Sequence, residues 1–318
     1  MGRANHAVVA AVHPLDNRTV TTGQDERFLL GCHLSIAGGV DRAIDEAERL
    51  GTSALQIFTH SPSVWRMKPI EPETARRFRG RRAESPIDSL VVHTMYLLNL
   101  ATPDDALYQR SVDALLDEVH RAVQLGADAV VTHLGAHKDA GEEAGIERIA
   151  AALDHLTASD AWTETDDLRL LLENTAGAGT TMGSTFGQLA AILEDVADAE
   201  RLGICLDTCH AFAAGYDLGT TRAVAETLDA FDRALGLDRL EMIHLNDSLT
   251  SLGSHRDRHA HIGRGEIGEA GIAAVLRHPR IADRPFVLET PKTLDGHPDA
   301  DRINLAAVRA LRAKEEAQ

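Results

Sequence analysis

The stretch 203–217 reads G-I-C-L-D-T-C-H-A-F-A-A-G-Y-D: a short apolar run of strand type, then Asp207, then His210 three residues on. A carboxylate and an imidazole where a buried strand runs out into a loop are poor core residues and good ligands for a borderline metal such as zinc. For this pair alone a capping aspartate and a satisfied loop histidine explain the pattern equally well. Recurrence decides between the two. Apolar runs also end at His93, His133, Glu173, His244 and Glu289, so six runs spaced 34 to 45 residues apart each deliver one ligand-type side chain. Asp257 and His259 add two more; in an extended segment side chains two apart point the same way, so this pair can converge on one ion. With His210 the set has nine members, too many for one tetrahedral zinc but suited to three ions with one bridging carboxylate. His255 and His261 lack a strand-end position and are expected to be solvated loop residues.

The elements that must position these residues follow from hydrophobic period. Strands are expected over 29–35, 54–58, 90–93, 129–133, 168–173, 203–207, 240–245 and 285–289. Segments of helical period lie between them, at 40–50, from about Pro72, and at 108–125, 145–156, 186–197, 221–235 and 272–276. Eight strand–helix rounds, with strands too apolar for a half-exposed sheet, imply a parallel sheet covered by helices. A single-domain (β/α)8 TIM barrel is the economical solution. A doubly wound open sheet is the alternative, but no G-x-G-x-x-G follows the first strand. In such a barrel active sites lie at the C-terminal strand ends, where the six ligand-type residues fall. Residues 1–28 are polar and without period and are expected to be a flexible extension, leaving 29–318 as the barrel.

Composition sets bounds. A chain of 318 residues fits one barrel or two average domains. Hydrophobic residues make up 44% with no uninterrupted run near the roughly 18 needed for a membrane span, and no secretory h-region is present, so a cytoplasmic location is expected. Three cysteines without a CxxC pair imply buried thiols rather than disulfides. Cys209 lies between two candidate ligands, but the oxygen and nitrogen donors around it suffice. The net charge of -17 argues against a polyanion partner at long range. That average does not exclude nucleic acid, because bound divalent cations make a site locally positive. An acidic, lysine-poor surface also suits high salt.

The chain resembles the endonuclease IV family of apurinic/apyrimidinic-site DNA endonucleases. The matching segments are H-L-S-I-A-G-G, V-V-H-T-M-Y-L-L-N-L, T-H-L-G-A-H, L-E-N-T-A-G-A-G, C-L-D-T-C-H-A-F-A-A-G-Y-D, I-H-L-N-D-S, G-S-H-R-D-R-H, I-G-R-G-E-I-G and V-L-E-T, in the family's order from about Leu29 to Glu289. The resemblance implies three Zn2+ ions per chain. His93, His133 and Glu173 would hold one; Glu173, Asp207, His244 and Glu289 a second; His210, Asp257 and His259 the third. Glu173 would bridge the pair that activates the attacking water, its catalytic role. The implied reaction is hydrolysis of the phosphodiester bond 5′ to an abasic site in double-stranded DNA, leaving a 3′-hydroxyl and a 5′-deoxyribose phosphate. A monomer is expected.

One segment departs from the family. Where relatives place Asn and Arg before a tryptophan, this chain has His60-Ser61-Pro62-Ser63-Val64-Trp65. Trp65 and Tyr96 are the expected DNA contacts. Two other readings compete: a divalent-metal sugar isomerase or related carbohydrate enzyme on the same barrel, and a metal-stabilised DNA-binding module without catalysis. The first leaves His210, Asp257 and His259 unexplained. The second fits poorly because closed structural zinc sites favour cysteine.

Overall fold

The structure, a computed structural model, describes residues 28–165, 167–296 and 298–313. Among the described residues ten strands are present: β1 Leu30–Leu34, β2 Ala54–Ile57, β3 Ser89–His93, β4 Ala129–Thr132, β5 Arg169–Glu173, β6 Leu202–Asp207, β7 Leu240–His244, β8 Asp247–Ser248, β9 His259–Ala260 and β10 Phe286–Leu288. Eight of them close a parallel barrel in the order β1-β10-β7-β6-β5-β4-β3-β2, while β8 and β9 form a separate antiparallel ribbon. The helices are α1 Asp41–Leu50, α2 Pro72–Glu84, α3 Asp105–Leu125, α4 Glu142–Thr157, α5 Asp160–Thr163, α6 Phe186–Asp195, α7 Thr208–Ala214, α8 Thr221–Leu235, α9 Gly268–Arg277 and α10 Ala300–Ala313. The chain is thus a single TIM barrel with helices outside.

Alternation along each strand divides the core in two. On β3, Leu90 and Val92 face the helices, whereas Val91 joins Ala54, Ala129, Val131, Leu171, Cys205, Met242 and Val287 inside the barrel. Helices seal the outer layer with amphipathic faces, such as Ala43, Ile44, Ala47 and Leu50 of α1 and Val112, Leu115, Val119 and Ala122 of α3. Fully burying a Leu, Ile or Phe is worth about 1.5–3 kcal/mol, so this layer carries much of the fold's stability. The period of two then fixes the site: a residue two beyond an inward-facing apolar residue also faces inward, one step nearer the C-terminal opening.

Element ends differ from the sequence expectations for local reasons. α3 begins at Asp105 rather than 108 because the Asp104 side chain caps it, accepting from Leu107 N at 2.9 Å. α4 begins at Glu142, where two glutamates in its first turn favour a helix start. α7 and α10 were not anticipated; α7 follows β6 without a gap, so no polar stretch announces it. β4 ends at Thr132, which puts His133 one residue beyond the strand, and Glu289 likewise follows β10. Of the extension expected over residues 1–28, residues 1–27 lie outside the described residues, and Phe28 belongs to the barrel. Phe28 packs its ring on Phe286 at 5.7 Å.

Candidate metal centre

Six inward-facing positions at the C-terminal opening carry His93, His133, Glu173, Asp207, His244 and Glu289, each two residues beyond an interior apolar side chain. Asp207 lies directly across from His244 in the β6–β7 pairing. Their donor atoms fall into groups whose members lie within 4.8 Å of one another: His93, His133 and Glu173; Glu173, Asp207, His244 and Glu289; and His210, Asp257 and His259. Glu173 belongs to two groups and divides its oxygens between them. Oε2 faces His93 Nε2 at 3.1 Å and His133 Nε2 at 3.5 Å; Oε1 faces His244 Nδ1 at 3.1 Å and His210 Nδ1 at 3.3 Å.

Asp207 caps the helix that follows it, one of the two readings that the sequence left open, and it also belongs to a candidate ligand group. Its Oδ1 caps α7, accepting from His210 N at 2.7 Å, and its Oδ2 accepts from Asn246 Nδ2 at 2.7 Å. Backbone carbonyls orient three histidines. His93 Nδ1 donates to Thr94 O at 2.7 Å, His210 Nδ1 to Asn174 O at 2.9 Å and His259 Nδ1 to Glu289 O at 3.1 Å. Since a carbonyl only accepts, the proton sits on Nδ1 and each Nε2 is left as a free donor atom for a cation.

The electrostatics favour positive charge between these groups. Burial pushes Glu173 up, but His133, His244 and His210 outweigh it and hold its carboxyl well below the usual carboxylate range. Burial opposes charge on His210 and His244 too. Asp207, Asp257 and Glu173 nevertheless hold His210 well above its ordinary value, and Cys205, Glu289 and Glu173 do so for His244. His259 Nε2 is buried without a hydrogen-bond partner, 3.2 Å from Asp257 Oδ1 and 3.6 Å from Asp207 Oδ2. An orphaned imidazole nitrogen between carboxylates fits a cation. Cys209 also lies within reach of Asp207 and His259, but burial, with Asp207, pushes its thiol up to about 12, so the proton stays on sulfur.

The ligand-bearing loop after β7 is more ordered than its length suggests. β8 and β9 pair Ser248 with His259, and the buried Asp247 carboxylate accepts from Ser248 N, Gly265 N and Ile267 N at 2.8 to 3.0 Å. A Cβ on Gly265 would lie 2.3 Å from Ser248 O, so only glycine allows this approach. His261 is half-buried and bonded to Asn304 rather than solvated as expected, whereas His255 is exposed on its loop as expected and bonds Ala176 O.

The loops after β2 and β3 are tied together. Buried Glu118 of α3 accepts from Thr59 Oγ1 at 2.8 Å, His60 Nε2 at 2.9 Å and Met95 N at 3.2 Å, and Tyr96 N donates to Pro62 O at 3.1 Å. Tyr96 is 60% exposed beside Phe58 and His93. Trp65 is half-buried with the Arg110 guanidinium 4.4 Å over its ring, so the exposed apolar tip of its loop is Val64.

Sequence reasoning missed His33 and Gln56, which occupy the inward-facing positions of β1 and β2 and complete the ring of eight. The period-of-two rule would have found them, since Ala54 is interior and Gln56 lies two beyond it. It also missed Asn174 and Asn246, although each follows a ligand-type residue within two positions.

Residues 44–314 match the family described as xylose isomerase-like TIM barrel. The chain is 50% identical to the probable endonuclease 4 of Natronomonas pharaonis, over 82% of this chain and 91% of that one. It is 45% identical to the probable endonuclease 4 of Halothermothrix orenii, over 87% and 98%. Among solved structures, endonuclease IV from Thermus thermophilus superposes with a TM-score of 0.77 at 41% identity, covering 89% of this chain and 98% of that one. A D-tagatose 3-epimerase-like protein superposes with a TM-score of 0.65 at 19% identity, which shows the shared barrel alone.

Proposed function

The chain belongs to the endonuclease IV family, and from that premise we propose that it is a zinc-dependent DNA repair endonuclease. Its reaction is hydrolysis of the phosphodiester bond 5′ to an abasic site in duplex DNA, leaving a 3′-hydroxyl and a 5′-deoxyribose phosphate. The observation that carries this reading is the sharing of Glu173 by two ligand groups, with a third group of His210, Asp257 and His259 beside them. A sugar-converting enzyme on this barrel has no use for that third group.

His93, His133 and Glu173 would hold one zinc, Glu173, Asp207, His244 and Glu289 a second, and His210, Asp257 and His259 a third. Bound there, the ions supply a lowered pKa for water and neutralisation of phosphate charge. The chain's residues supply placement. Glu173, with one oxygen turned to each side, would set the spacing of two ions, and the carbonyls of Thr94, Asn174 and Glu289 keep three imidazoles turned inward. Burial of Glu173, Asp207 and His244 excludes bulk water, which strengthens every charge interaction at the reacting phosphate. Tyr96, exposed at the rim above His93, is placed to pack against the unstacked nucleotide, whose extrusion is cheaper once the base is lost.

The test is metal analysis of the purified chain combined with incubation of a duplex carrying one abasic site. About three zinc ions per chain and a single nick 5′ to the site are expected. A chain that carries zinc and leaves abasic DNA intact while converting a ketose would sink the reading.

A further inference from the structure

His244 differs from the other oriented histidines in what holds its outer nitrogen. His93, His210 and His259 lean on backbone carbonyls, whereas His244 Nε2 meets a side chain, Gln56 Oε1, at 2.7 Å. Gln56 is fully buried on β2, so water cannot substitute for it. The direction of its amide follows from its other end. The atom 2.6 Å from Glu289 Oε1 has to be a donor, because two acceptor oxygens at that separation repel. It is therefore the nitrogen, and its second hydrogen reaches His33 Nδ1 at 2.9 Å. The remaining amide atom is an oxygen that can only accept, so the His244 proton it binds is on Nε2.

That assignment has a consequence on the inner side of the ring. In the neutral ring that a metal ion requires, His244 Nδ1 is then a lone pair, 3.1 Å from Glu173 Oε1 and 3.3 Å from Glu289 Oε2. Three acceptors converging in this way repel one another unless a cation lies among them. The same amide that turns the lone pair inward also holds one oxygen of Glu289, leaving its other oxygen toward the same point. Two of the four side chains of one ligand group are thus set by one neutral residue that touches no substrate.

We propose that Gln56 is a positioning residue of the metal centre, fixing the His244 tautomer and the Glu289 carboxylate for the cation of the Glu173–Asp207–His244–Glu289 group. The proposal rests on the reading of these groups as metal sites. The effect is selective, since the hydrogen bonds of Gln56 go to His33, Glu289 and His244 and to none of His93, His133, His210, Asp257 and His259. Loss of an outer partner of this kind weakens metal binding by about 10–100-fold. A residue that merely filled space would not distinguish one cation from the others.

Gln56→Met keeps the volume and removes all three hydrogen bonds. Gln56→Glu keeps an acceptor for His244 but sets a second carboxylate against Glu289, and it serves if the first variant does not fold. The measurement is zinc dissociation by competition with a chromogenic chelator, resolved ion by ion, with thermal unfolding of each metal-free chain alongside. One of the bound ions is expected to weaken about 10–100-fold while the others keep wild-type affinity. Wild-type affinity at every site, or equal weakening at all of them with a lower melting temperature, overturns the proposal. A wild-type chain that takes up no zinc removes the metal reading itself, an outcome distinct from both.

Discussion

Glu173 is shared by two of the candidate ligand groups, one oxygen turned toward each, so its charge and its shape both matter. Glu173→Gln keeps the shape, replaces one oxygen by a donor that cannot face a cation, and leaves His93, His133, His210 and His244 without their shared anion. Cleavage of abasic duplex is expected to fall by more than the roughly 100-fold that marks loss of an outer partner; near wild-type cleavage would show that Glu173 does not bridge. The titration of the same cluster gives a second expectation for the metal-free chain. Glu173 and Glu289 lie below their ordinary value of 4.5, so their contribution to stability is whole above about pH 4.5 and is lost as pH falls through their folded values. His210 and His244 lie above 6.5, so theirs is whole below about pH 6.5 and is lost as pH rises through the folded values. The cluster therefore stabilises the metal-free chain most between about pH 4.5 and 6.5, whereas zinc, which competes with protons for the same atoms, stabilises increasingly above that window. Melting temperatures across pH with and without chelator check this. A metal-free midpoint that keeps rising above pH 6.5 would contradict it. At this scale the ligand-type residues were readable because His, Asp and Glu at the ends of apolar runs are conspicuous. Gln56 was not, because a neutral amide inside a strand carries no such mark and its role exists only through its partners.

At the scale of elements, strand positions were legible to within a residue or two because inward and outward faces are both apolar, so each strand is a dense run between polar segments. The ribbon of β8 and β9 was not legible. Two residues a side carry no period, and the ribbon is anchored by the Asp247 side chain to the amides of Gly265 and Ile267 beyond it. Removing that carboxylate takes the acceptor from four buried or half-buried amides, of Ser248, Gly265, Ile267 and Gly268, at about 1–3 kcal/mol for each left unpaired. Asp247→Ala is therefore expected to loosen the segment that carries Asp257 and His259 and to hasten loss of their cation. Even in the wild-type chain this ion should leave first, since Asp257 is 56% exposed while Glu173, Asp207 and His244 are fully buried. Site occupancy read by anomalous scattering from partly stripped crystals tests both statements; loss of the cations held by Glu173 ahead of it counts against them.

For the whole molecule, a net charge of -17 and the proposed DNA substrate have to be reconciled. Among the described residues the exposed large hydrophobics are Val64, Tyr96, Leu249 and Leu252, and all four lie on loops after β2, β3 and β7, around the metal groups. β3 and β7 stand on opposite sides of the closed barrel, so apolar tips flank the opening from both sides. Packing of this kind does not release counterions, whereas phosphate contacts do and weaken as salt rises. With a non-cleavable abasic duplex, Tyr96→Ala is expected to lower affinity by a similar factor, about tenfold, at every salt concentration, as for loss of a base-stacking ring. Arg256→Ala, on the exposed loop after β7, should instead reduce the salt slope by about 1. Superimposable Tyr96→Ala and wild-type curves would exclude that ring from the interface. A last property of the whole comes from the seam where the barrel closes. β1 pairs with β10 there, the Phe28 ring lies on Phe286, and the Arg312 guanidinium from α10 covers Phe28 at 4.0 Å. The two ends of the described chain are therefore neighbours, and chain order is a convention of the gene rather than a requirement of the barrel. A short bridge from Ala313 to Phe28, with a new opening in the turn before β6 at the face remote from the candidate metal ligands, is expected to give a circular permutant whose eight inward-facing side chains meet unchanged.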